Sequence, residues 1–215
     1  MGASSNPVMR DETAPTPKAE SILAAARRAF LAGGFGAVSM DAIAREAGAS
    51  KATLYAYFSG KEELFGAVVA EMAERYFRGF SASALDPLDV RASLTVLARQ
   101  FLDLVLSPDA IALNRILIGE VTRFPALGAV FWEAGPARTR VQIETFLRRA
   151  NSAGSLAIDD PREAAEQFVS LARGEIHLRH LLRLEPAVTP VATAAAAERA
   201  VETFLRAFGP PSQNR

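Results

Sequence analysis

At 215 residues, half hydrophobic and 8% aromatic, the chain can bury a sizeable core and draws on alanine and leucine for it, a balance that favours helices. It contains no cysteine, which excludes disulfides and cysteine-ligated zinc or iron–sulfur sites. Its formal net charge is zero, so the overall balance announces no polyanionic partner and charge must be read by region.

Residues 1–15 are polar, lack the apolar stretch of an export signal, and read as a disordered tail. No apolar run approaches the roughly 20 residues needed to cross a bilayer, so a cytoplasmic protein without a membrane role is expected. Beyond the tail, Thr16-Pro17, Asp86-Pro87, Ser107-Pro108, Asp160-Pro161 and Thr189-Pro190 each set a capping side chain before a proline, a pattern that starts helices. Gly135-Pro136 splits a further run. The spacing predicts helices over 17–33, 40–47, 51–57, 61–82, 87–106, 108–123, 125–134, 136–152, 161–184 and 190–208. Period-two alternation is absent, so the fold class is all-α.

The stretch SMDAIAREAGASKATLYAYFSGK over 39–61 is the most informative. Ser39 caps a helix whose apolar stripe is Met40, Ile43, Ala44 and Ala47, and Gly48 ends it where a positive φ is needed. Ser50 caps a second short helix with Leu54 and Phe58 inward. Two short helices joined by a glycine turn form a helix-turn-helix, whose second helix fits a DNA major groove. Its outward residues Lys51, Ala52, Thr53, Tyr55, Ala56 and Tyr57 suit phosphates and base edges. Between residues 18 and 61, six Lys and Arg face three Asp and Glu, a modest excess in the direction DNA requires. Ile22, Ala26, Ala29 and Phe30 of the first helix, with Phe35, are expected to close this small core.

The SMDAIAREAGASKATLYAYF stretch followed by KEELF, and preceded by AARRAFLAGGFGAVS, closely resembles the DNA-binding domain of the tetracycline-repressor (TetR) family of bacterial regulators. The resemblance implies a three-helix DNA-binding domain over residues 16–62. It also implies contacts from Ser39, Ser50, Lys51, Tyr57 and Lys61 to phosphates, and from Ala52, Thr53, Tyr55 and Ala56 to bases. LSPDAIALNRILIGEVTRFPALGAVFWEAGPAR and AAEQFVSLARGEIHLRHLL resemble the regulatory domain of the AefR-like branch, implying a larger ligand-binding and dimerising domain over 63–210.

Within that domain Arg115, Glu120, Phe124, Phe131, Trp132 and His177 are the candidate lining of a hydrophobic ligand pocket carrying a few polar groups. Equally, the aromatics could be core and the charges surface. Phe168, Leu171, Leu178 and Leu182, with Val201, Phe204, Leu205 and Phe208, supply two apolar stripes for a dimer, or for packing inside one subunit. Glu175, His177 and His180 share a helix, but without a second histidine-bearing helix neither a metal site nor catalysis is expected, and no cofactor is implied. The reading is a homodimeric transcriptional regulator, a repressor released from a pseudopalindromic double-stranded DNA operator by a small hydrophobic effector. The alternative is a helical small-molecule-binding protein or enzyme with no DNA role.

Overall fold

A computed structural model describes residues 16–77, 84–184 and 188–210. The expected tail, and the fourth helix beyond residue 77, lie outside them. The described residues form helices and no strands. The first four are α1 (Pro17–Ala37), α2 (Met40–Glu46), α3 (Lys51–Tyr57) and α4 (Lys61–Phe77). They are followed by α5 (Val90–Val105), α6 (Pro108–Glu120) and α7 (Ala126–Ala134). The last three are α8 (Pro136–Ser152), α9 (Pro161–Leu181) and α10 (Pro190–Phe208).

The capping logic sets most of these starts. The side chains of Thr16, Ser39, Ser50, Ser107, Asp160 and Thr189 each accept a backbone N–H from the first turn of the helix they precede. A cap of this kind contributes about 0.5–2 kcal/mol. Asp86-Pro87 is the exception and a correction. Asp86 accepts from Leu88 N–H in an irregular turn, and Asp89 caps α5 instead. Leu88 stays exposed, so burial begins only at Val90 and nothing draws the preceding turn into the helix.

Two helices are broken by glycine. Gly34 (φ 77°, ψ 170°) turns the end of α1, where the Gly-Gly pair predicts a stop. Gly174 (φ 45°, ψ −155°) breaks α9, which the sequence reading treats as continuous; side chains other than glycine rarely take either conformation. Helix α9 also ends earlier than expected, at Leu181, followed by Arg183 at positive φ.

Packing forms two main cores. In one, Phe30, Phe35 and Phe65 meet with ring centroids 5.5–5.7 Å apart, Leu54 and Ile43 close over them, and α6 and α7 add Leu113 and Leu127. The small N-terminal lobe therefore has no separate core of its own. Leu64, Phe65 and Val68 of α4 belong to the same cluster as the residues of α1–α3. The other core joins α5, α8, α9 and α10, with Phe168 edge-on to Phe204 at 5.2 Å.

Candidate nucleic-acid interface and effector cavity

Helix α3 buries Leu54 and turns Lys51, Ala52, Tyr55, Ala56 and Tyr57 outward, with Thr53 half-buried. The expected reading face is thus one contiguous surface. Ser50 Oγ caps the helix and lies 2.8 Å from Thr53 Oγ1, and Ser39 Oγ caps α2. Tyr57 OH sits 3.1 Å from Thr16 Oγ1, tying the end of α3 to the start of α1. Lys51 Nζ lies 3.0 Å from Asp41, which raises its pKa through that hydrogen bond and charge and holds α3 against α2. Arg28 similarly pairs with Glu46 at 2.8 Å.

Lys61 does more than expected. Its ammonium donates to the carbonyls of Phe35 (2.7 Å), Val38 (2.9 Å) and Gly36 (3.4 Å), and it lies 4.5 Å from the Phe35 ring centroid. An ammonium has three donors, and three carbonyls of the α1–α2 turn take them. In this DNA-free arrangement Lys61 plays a structural part beside the phosphate role expected of it.

A cavity of about 730 Å³ opens between α4, α5, α6, α7, α8 and α9. Val69 and Met72 of α4, Phe101 of α5, Leu113 of α6, and Phe131 and Trp132 of α7 make it mostly apolar. Thr139, Arg140, Glu166, Arg173 and His177 supply polar groups. Of the six candidate lining residues, Phe131, Trp132 and His177 are in the wall. The other three need correction. Arg115 is not in the wall and donates to the carbonyls of His180 and Leu181 at the end of α9. Glu120 lies a turn beyond the cavity and accepts Gly36 N–H at 3.0 Å. Phe124 packs edge-on to Phe35 at 5.1 Å. Glu120, at the end of α6, and Phe124, in the segment after it, both contact the end of α1. Arg140 and Arg173 were missed because a helical stripe does not reveal which face meets a cavity.

Burial, then the nearby Arg173 charge, pushes the His177 pKa down from 6.5 to about 4, so the ring is neutral at pH 7. Glu175 points outward to Arg179 and His180 Nδ1 lies 2.8 Å from the Ile176 carbonyl. No metal-binding cluster of His, Asp or Glu forms among the described residues.

The expected dimer stripes split. Phe168, Val201 and Phe204 are fully buried within the subunit, with Leu205 and Phe208 packed against the same cluster. That is a correction for Val201 and Phe204, which face α5 and α9 inside the subunit, whereas Leu205 and Phe208 are only half-buried. Leu178 and Leu182, in contrast, are 53% and 60% exposed, and Leu171 is 37% exposed. Among the described residues no helix is long and apolar enough to cross a membrane.

A helix-turn-helix whose core is completed by the walls of an apolar cavity defines a DNA-binding regulator with a built-in sensor domain. Residues 22–68 match the family model described as bacterial regulatory proteins, tetR family, and residues 92–210 match the AefR-like transcriptional repressor C-terminal domain. The chain belongs to the TetR family of transcriptional regulators, a DNA-binding family rather than an enzyme family, and the carrier-or-enzyme alternative falls with that result. The structure of the flavonoid-responsive regulator FrrA is similar, with 39% identity, a TM-score of 0.73, and coverage of 91% of this chain and 98% of that one. A TetR-family regulator from Mesorhizobium loti gives 26% identity, a TM-score of 0.76, and coverage of 91% and 100%. The HTH-type transcriptional activator FasR of Mycolicibacterium smegmatis is 34% identical over 84 residues, 39% of this chain and 38% of that relative's length.

Proposed function

We propose that this chain is a cytoplasmic, homodimeric repressor whose grip on a pseudopalindromic operator is released by an aromatic effector held in the cavity. One observation carries the reading: α4 both walls the cavity through Val69 and Met72 and closes the reader's core through Leu64 and Phe65. A molecule that displaces one end of a rigid helix moves the other. Helix α6 makes a second link, since Leu113 and Leu117 line the cavity and Glu120 holds the α1–α2 turn.

At 39% identity to a regulator named as flavonoid-responsive, and with Phe101, Phe131 and Trp132 in its wall, the cavity suits a planar polycyclic molecule. On DNA, Ser39, Ser50, Lys51 and Tyr57 would meet phosphates, and Ala52, Thr53, Tyr55 and Ala56 base edges. The exposed leucines of α9 would form the two-fold seam that sets two reading helices about 34 Å apart on DNA.

The test is a gel shift at fixed salt with DNA flanking the chain's own gene, with and without the flavonoid quercetin. Specific binding lost on adding quercetin is expected, with quercetin affinity falling by the same factor when operator is present. Equal affinity with and without operator would remove the switch.

A further inference from the structure

The cavity is not electrically neutral. Arg140, Arg173 and Glu166 are the charged groups in its described lining. Arg140 is already matched, at 2.7 Å from the Glu166 carboxylate and with its guanidinium 5.4 Å from the Trp132 ring centroid. No carboxylate pairs with Arg173 among the described residues. Its guanidinium lies 5.9 Å from the Phe101 ring centroid, and its Nε is buried with no hydrogen-bond partner. Burial lowers its pKa, yet an arginine stays charged in proteins. Neutral neighbours are already engaged locally: Asn114 Nδ2 donates to the Ala110 carbonyl and Ser170 Oγ to the Glu166 carbonyl. A half-buried cation without an anion costs stability unless something supplies the missing charge.

We propose that the effector binds as an aromatic anion, its rings against Phe101 and Trp132 and its one ionised group, an acidic phenol in the case of a flavonoid, bound to the Arg173 guanidinium. Resting on the cavity reading above, this names the charge its occupant must carry. A guanidinium presents paired N–H donors to an oxyanion, and such a charge-assisted bond is roughly twice as strong as a neutral one. The Arg140–Glu166 pair leaves no second free cation in the described lining, so a molecule with two ionised groups would bury one of them unpaired. Neutral His177, beside Arg173, can add one hydrogen bond without competing for the charge.

The experiment uses two fluorescent probes that share one ring system. 1-Anilinonaphthalene-8-sulfonate carries an anion; N-phenyl-1-naphthylamine lacks it. Trp132, the sole tryptophan, borders the cavity and reports entry by energy transfer. The sulfonate should bind about tenfold or more tightly than the neutral probe. Arg173→Met should abolish that preference while leaving the neutral probe's affinity within about twofold, and Arg173→Lys should restore part of it. Glu166→Gln should tighten the sulfonate further. If both probes bind equally to the unaltered protein, or Arg173→Met weakens both alike, the anion assignment is wrong while the cavity reading survives. If neither probe quenches Trp132, the cavity reading falls and takes the anion with it.

Discussion

Lys61 shows how far a residue's identity outruns its role. A lysine just after a helix-turn-helix looks like a phosphate ligand, because sequence records its charge and spacing. It cannot record that Gly34 turns the chain so that three carbonyls converge on the ammonium. Lys61→Met should therefore lower stability by about 1–3 kcal/mol, the cost of leaving part-buried carbonyls unpaired. Denaturant unfolding measures it. The outward face of α3 was legible, since Leu54 and Phe58 point inward and the rest follows from helical spacing. His177 makes a second residue-scale test. Its folded pKa, near 4, lies below its unfolded value of 6.5. On acidification the unfolded chain takes up a proton that the folded chain refuses, so the stability this histidine contributes above pH 6.5 falls between 6.5 and 4. His177→Gln should flatten that part of the pH profile of unfolding relative to the unaltered protein. Parallel profiles would show the ring to be solvated.

Elements were legible where local chemistry marks them, and less so where a neighbour decides. Capping side chains before prolines placed four of five helix starts, and Asp86 failed because burial at Val90, not the proline, opens α5. The break at Gly174 carried only the weak signal of an isolated glycine in a helical pattern. The contact of α6 with the α1–α2 turn was invisible because Glu120 and Gly36 are 84 residues apart. A Cβ added at Gly36 would lie 3.0 Å from the Glu120 carboxylate, so Gly36→Ala should shift that carboxylate by a few tenths of an ångström and weaken its bond to the backbone N–H. Glu120→Ala removes the same bond from the other side. Both should reduce the factor by which quercetin and operator oppose each other, while leaving quercetin affinity in the absence of DNA unchanged, because Glu120 is outside the cavity. Calorimetric titration with and without operator measures that factor. An undiminished factor in both variants would leave α4 as the sole link.

At the scale of the molecule, an amphipathic stripe states that a face is buried but not by what. The α10 stripe and the exposed part of α9 look alike in sequence, yet one completes the subunit and the other is left uncovered. Val201 is 1% exposed and Phe204 is wholly buried against Phe168 and Phe208. Leu178 and Leu182 instead lie four residues apart on one side of α9, beyond the Gly174 break, with Leu171 a turn or two earlier. The two sets predict opposite failures. Val201→Glu or Phe204→Glu places a charge in the subunit core and should unfold the chain, at a cost of about 3–5 kcal/mol or more. Leu178→Glu with Leu182→Glu sets like charges across a two-fold seam, while in an isolated subunit both carboxylates remain in water. That double variant should keep its helical circular dichroism and its thermal midpoint under dilute conditions, yet scatter light as a monomer. It should also lose operator binding, since a single reading helix contacts one half-site. A double variant that remains dimeric would move the seam off α9, and a monomeric variant that still bound the full operator with unchanged affinity would end the two-fold reading of the DNA complex.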